Sequence, residues 1–376
     1  MVERILTTNI LQQLQNSRKV IVLYGARQIG KTTLIKTLQK EYSGKCLLLN
    51  GDLKNVQDTL SSQDLETFKN TVDDNDLLII DEAQNIPNIG INLKILFDEF
   101  PNLKIIATGS SSFELANTLK EPLTGRKTTL KMYPISLMEL RKTNSIFELK
   151  AQLGSFLTYG MYPEILTLQG SNTKQQHLQE LVSSYLYKDI LALSNIKHSD
   201  KIHKLLQLLA HQVGSLVSVN ELSNKLGLNH ETINNYINLL EDGFIIQRLS
   251  GLSNNPRNEI SKMDKIYFTD IGIRNAIIEN YSPIDIRNDI GAIWENFIFM
   301  ERQKYVSYNN IHGKNYFWRR YSGSEIDLIE MRDGMFHAFE IKWNKRKTSA
   351  PKSWLLDYPN STFTEINQDN FTDYVL

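Results

Sequence analysis

One short segment limits what this chain can fold into more than any other. It is Gly25-Ala26-Arg27-Gln28-Ile29-Gly30-Lys31-Thr32, set between the apolar run Val20-Ile21-Val22-Leu23-Tyr24 and the stretch Thr33-Leu34-Ile35. The string fits G-x-x-x-x-G-K-[ST] in full, with a strand leading in and a helix leading out. Gly25 and Gly30 permit a turn tight enough for backbone N–H groups to face phosphate oxygens. The helix N-terminus adds partial positive charge. Lys31 is then expected between the β- and γ-phosphates of ATP, and Thr32 on Mg2+. Ala26, Arg27, Gln28, Ile29 and Thr33 complete the expected cradle.

A second segment, Leu77-Leu78-Ile79-Ile80-Asp81-Glu82-Ala83-Gln84, ends an apolar strand in two carboxylates. In an open parallel sheet, ligands sit at that C-terminal edge. Asp81 is expected to hold the Mg2+ hydration shell, and Glu82 to orient and deprotonate the attacking water. Ile105-Ile106-Ala107-Thr108-Gly109-Ser110 is a third strand ending in hydroxyls. If it runs between the other two, Thr108 or Ser110 lies near the γ-phosphate; a plain strand-to-helix turn is the other reading. Arg126, in Leu123-Thr124-Gly125-Arg126, is a candidate arginine finger, in cis or toward a neighbouring copy. A trans finger requires at least a dimer; a surface Arg is the alternative.

Strands are expected at 19–24, 45–50, 76–80, 103–108 and 127–131, alternating with helices at 31–42, 62–72, 89–99 and 111–119, after a leading helix at 3–16. That alternation predicts βαβ units and a parallel α/β sheet with helices on both faces. The 376 residues divide by pattern into 1–134, a mostly helical connector 135–200 broken at Tyr159–Glu164, a module 201–280, and 281–376.

The third part reads as helix–turn–helix followed by a wing strand, Gly243–Leu249. Its second helix, 230–242, contains no Lys or Arg and carries Glu231, Glu241 and Asp242. Duplex binding draws much of its affinity from phosphate neutralisation. A protein partner or interdomain packing is therefore favoured over DNA, although Asn234, Asn235 and Asn238 suit base edges.

In the last part, Asp333-Gly334 is a two-residue hairpin signal. It sets a register in which paired positions sum to 667, bringing Asp327 opposite Glu340 and Glu325 opposite Lys342. Facing carboxylates repel unless a cation lies between them. A divalent metal held by Asp327, Glu340 and Glu295 from the preceding helix is the expectation, with Lys342 as its catalytic partner. Asp…Glu-x-Lys is the pattern of PD-(D/E)xK nucleases; a solvated ion-pair hairpin is the alternative.

Charge and composition narrow the rest. Lys and Arg total 42 against 42 Asp and Glu, which excludes a uniformly basic nucleic-acid coat. A single cysteine, Cys46, excludes a disulfide framework and is expected in a buried strand. No apolar run reaches the length of a membrane span, and a cytoplasmic location is expected.

Taken in order, GARQIGKTTL, LLIIDEAQ, ATGSSS, LTGR with YPISLMEL, DKIYFTDIGIRNAI, GAIWENFIFME and WRRYSGSEIDLI with FEIKW resemble the prokaryotic AAA-type ATPases of the AAA_14 family with a DUF4143 region. The resemblance implies ATP binding and hydrolysis, a winged-helix middle and a restriction-endonuclease-like tail. Three functions follow as expectations: an ATPase that moves the winged helix and tail, an ATP-gated metal-dependent nuclease, and a slow ATP switch binding a protein or DNA.

Overall fold

The computed structural model describes residues 2–110, 122–186, 199–252, 263–320, 323–346 and 348–376. The expected helix at 111–119 lies outside them. The chain divides into two compact units, Met1–Tyr133 with Asp242–Phe244, and Pro134–Glu241 with Ile245–Leu376.

The first unit is built on five strands: β1 (Val20–Tyr24), β2 (Cys46–Asn50), β3 (Leu77–Asp81), β4 (Lys104–Gly109) and β5 (Lys127–Lys131). They lie in the order β2-β3-β4-β1-β5, and every pairing is parallel. Every residue of β1 and β3 is buried, as unbroken Val/Ile/Leu runs require when helices cover both faces of a sheet. Each expected strand is present, within a residue at either end. Helix Ile5–Asn16 buries Leu6, Ile10 and Leu14, one face at helical spacing.

Two expectations are corrected. The helix expected at 62–72 is present but starts later, as Leu65–Val72, and a separate helix, Lys54–Leu60, stands before it where none is expected. Gln63 takes a left-handed φ of 54°, and Asp64 then caps helix Leu65–Val72 by accepting from the Thr67 N–H at 2.7 Å. Cys46 is half-buried rather than buried, because β2 is an edge strand.

The second unit begins with short helices. Gly160, at φ 76°, makes the expected break, and Pro163 opens the next helix. Helices Ser199–His211, Val219–Leu226 and His230–Asp242 follow, with β6 (Leu216–Val217), β7 (Ile246–Leu249) and β8 (Asp264–Phe268). These strands form an antiparallel sheet in the order β6-β8-β7.

Helix Ile290–Tyr308 leads to β9 (Lys314–Arg319), β10 (Glu325–Arg332), β11 (Met335–Ile341) and β12 (Thr362–Ile366), a sheet in the order β12-β11-β10-β9. Asp333 and Gly334 both have positive φ, 50° and 76°, as a tight hairpin turn demands. Ile326, Ile329 and Ala338 pack under Trp318 and Trp354, whose rings meet edge-on with centroids 5.5 Å apart. Among the described residues no helix is long and apolar enough to cross a membrane.

Candidate functional site

The phosphate loop runs from the end of β1 into helix Lys31–Glu41. A Cβ at Gly25 would lie 2.4 Å from Ile29 Cδ1 and 2.6 Å from the Met132 carbonyl oxygen. Only glycine passes there. Gly30 precedes the helix in the left-handed region at φ 94°, and no side chain caps the helix N-terminus. The loop is thus anchored by buried Ile29 and presents Arg27 and Gln28 outward. Lys31 is buried, and its ammonium donates to the carbonyls of Gly25 at 2.8 Å and Ala26 at 3.0 Å.

β4 lies between β1 and β3, as the strand order requires for Thr108 to stand between the two motifs. The Thr32 hydroxyl donates to Asp81 Oδ2 at 2.9 Å. The Thr108 hydroxyl donates to Asp81 Oδ1 at 2.6 Å and accepts from the Glu82 N–H at 3.2 Å. Thr32, Asp81, Thr108 and Glu82 therefore form one hydrogen-bonded chain at the C-terminal edge of the sheet. Glu82 is held with φ 51°, and its Oε2 accepts from Gln84 Nε2 at 2.5 Å. The same Gln84 nitrogen reaches Ser110 Oγ at 3.3 Å. Gln84 was not anticipated; its place two residues beyond Glu82 was the available signal.

Arg126 is elsewhere. Its carbonyl accepts from the N–H of Val20, the first residue of β1. Its Nε donates to Asp98 Oδ1 at 2.9 Å. A five-residue strand spans about 16 Å, so Arg126 lies at the opposite edge of the sheet from the loop. A cis role at the same nucleotide is excluded by that geometry.

The tail departs from expectation in a specific way. β10 and β11 pair with the expected sum, from Leu328 with Phe339 to Arg332 with Met335. The ladder does not continue to Asp327 and Glu340. A register shift between Ile326 and Ile329 marks a bulge in the pairing of β10 with β9, and the Ile341 N–H donates to the Asp327 side chain at 2.9 Å. Bulges re-aim side chains in this way. Glu325 does not face Lys342; it lies opposite Arg319 on β9.

The cation among the carboxylates is Lys265 of β8. Its Nζ lies 2.6 Å from Glu325, 3.0 Å from Glu295 and 3.5 Å from Asp327. Lys342 lies 2.7 Å from Glu340 and 3.4 Å from Asp327. Burial, then the Asp327 charge, pushes Glu295 up to about 7 against the pull of Lys265. The same two causes raise Glu340. Burial pulls Lys265 down, but Glu295, Asp327 and Glu325 outweigh it and raise its pKa. Among the described residues no group of three or more His, Cys, Asp or Glu is placed to hold a metal ion. The residues as arranged do not fit the expected metal, because ammonium groups already take the carboxylate oxygens. The signal for Lys265 was a lone lysine in the apolar strand Ile266-Tyr267-Phe268; its burial was not anticipated.

Family profiles match in three blocks. One described as "AAA domain" covers residues 17–141, a domain of unknown function, DUF8612, covers 150–283, and another, DUF4143, covers 290–359. An uncharacterized protein of Mycobacterium tuberculosis is 25% identical over 335 residues, 88% of this chain and 71% of the relative. One from Methanocaldococcus jannaschii is 24% identical over 381 residues, 94% of this chain and 83% of the relative. Among solved structures, a RuvB variant from Thermotoga maritima aligns with a TM-score of 0.33 at 17% identity, covering 67% of this chain and 89% of its own. AMPPCP-bound DnaA from Aquifex aeolicus aligns at 0.32 and 17%, covering 64% and 88%. The AAA and DUF4143 profiles match in the order of the motifs, so the chain carries an AAA-type domain followed by a DUF4143 region.

Proposed function

We propose that the chain binds ATP through the loop Gly25–Thr32 and hydrolyses it, and that the cycle is transmitted to the second unit. The observation that carries this reading is the chain Thr32–Asp81–Thr108–Glu82 beside the buried Lys31. The loop N–H groups and Lys31 would hold the phosphates. The Thr32 hydroxyl and the Asp81 carboxylate are the hard oxygen donors that suit Mg2+. Bound there, Mg2+ would neutralise charge on the phosphates. Glu82 orients the attacking water and takes its proton, while Thr108 fixes Asp81 and the Glu82 backbone at once. Arg126 acts, if on a nucleotide, on that of a neighbouring copy. Its ion pair with Asp98 is half-exposed and weak enough to be released.

Transmission is supported by Arg4. Its buried guanidinium donates to the carbonyl of Ile29 in the phosphate loop at 2.9 Å, and to that of Tyr133, where the first unit ends. A shift of the loop is thereby felt at the point where the chain leaves the unit. For the module 201–280 we favour a protein partner over DNA, because helix His230–Asp242 contains no Lys or Arg. No cleavage step is assigned to the tail.

The test is nucleotide binding and turnover by wild type and Lys31→Ala. The reading predicts loss of both in the variant. Turnover unaffected by Lys31→Ala, or none in wild type with Mg2+, overturns it.

A further inference from the structure

Four carboxylates in the tail come from three places in the second unit: Glu295 from helix Ile290–Tyr308, Glu325 and Asp327 from β10, and Glu340 from β11. The Lys265 side chain enters between three of them from a different sheet and is 2% exposed. Its approach is fixed on several sides. Tyr267, on the same face of β8, donates its hydroxyl to Glu295 Oε1 at 2.6 Å. The Phe317 ring lies beside the ammonium, its centroid 5.7 Å away. At Gly214, with φ 72°, a Cβ would come within 3.3 Å of Glu295 Oε1, so the backbone closes that side.

A divalent cation draws carboxylate oxygens to about 2.0–2.6 Å and needs their lone pairs. Lys265 takes those of Glu295 and Glu325 at hydrogen-bond distance, and it would repel a second cation strongly in a buried site. The charges also nearly balance. Four carboxylates face Lys265, Lys342 and Arg319, which lies 3.7 Å from Glu325, leaving one negative charge where a metal contributes two positive ones.

We infer that Lys265 is a built-in cation that closes the carboxylate centre of the tail to divalent metals. Strand β8, rather than a metal ion, organises the centre, and removing the ammonium converts it into a metal site. The inference stands apart from ATP hydrolysis and survives its failure.

The experiment titrates Mn2+ into the full chain without nucleotide and counts bound ion by electron paramagnetic resonance. Wild type, Asp327→Asn, Lys265→Met and Lys265→Met/Asp327→Asn are compared. Wild type and Asp327→Asn are expected to bind identically. Lys265→Met gains one site, at least tenfold tighter than any in wild type, and the double variant loses it. A wild-type Mn2+ site abolished by Asp327→Asn overturns the inference, as does a folded Lys265→Met that gains none. Should Lys265→Met not fold, Lys265→Met/Glu295→Gln removes the unpaired charge and is read by the same criterion, alongside wild type against Asp327→Asn.

Discussion

A methyl group at position 25 is the smallest change that probes the phosphate loop. The Cβ of Gly25→Ala would meet the Met132 carbonyl at 2.6 Å, a backbone atom that cannot swing aside. Met132 is itself tied to the end of β1, its N–H donating to the Tyr24 carbonyl at 2.7 Å. The loop must therefore move. Overpacking of this kind costs about 1–3 kcal/mol, and nucleotide affinity is expected to fall at least ~10-fold while the rest of the unit stays folded. Calorimetric binding of ATP with a thermal melt checks this; unchanged affinity would show that the close approach has no bearing on the cradle. At this scale the loop was readable, because glycine spacing, lysine and hydroxyl are written in consecutive residues. Gln84 and Lys265 were not, because their roles depend on which strand edge or neighbouring sheet they meet.

Among elements, helix Ile290–Tyr308 shows how charge is stored at an end. Asp289, just before it, accepts from Arg274 at 2.6 Å and from Arg287 at 2.8 Å twice. Burial would raise its pKa, but the hydrogen bonds from Arg287 and Arg274 outweigh it and hold the carboxyl at about 2. A depressed folded pKa gives stability that is present above the unfolded value and lost as pH falls through the folded one. Asp289→Asn should cost about 2 kcal/mol at pH 7. The gap from wild type should close between pH 4 and 2 in denaturant melts. A gap that is constant with pH would assign the cost to packing instead. Element limits in the first unit were legible because its central strands, β1 and β3 above all, are apolar runs bounded by polar residues or glycine. Helix Lys54–Leu60 is not legible in the sequence because it is seven residues long and buries only Val56 and Leu60. The hairpin register came from Asp333-Gly334, but the bulge at Asp327 has no side-chain signature. The ladder of β10 with β11 ends one pair short of the predicted carboxylate contact, where the Asp327 side chain accepts from the Ile341 N–H.

For the whole molecule, equal numbers of basic and acidic side chains leave no general attraction for nucleic acid. Function then rests on the nucleotide site and on what completes it. Since Arg126 lies at the far edge of its own sheet, a finger role needs a second copy. Arg126→Ala and Lys31→Ala should each be inactive alone, and mixing them should restore part of the turnover. In the mixture an intact Arg126 can meet an intact loop. Wild-type turnover by Arg126→Ala would reduce that side chain to its ion pair with Asp98. The central claim is hydrolysis carried by Glu82 on a site assembled by Asp81 and Thr108. It is tested most directly by steady-state ATP turnover of Glu82→Gln alongside its ATP affinity. The account predicts affinity near wild type with turnover lowered at least ~100-fold; turnover at the wild-type rate would contradict it.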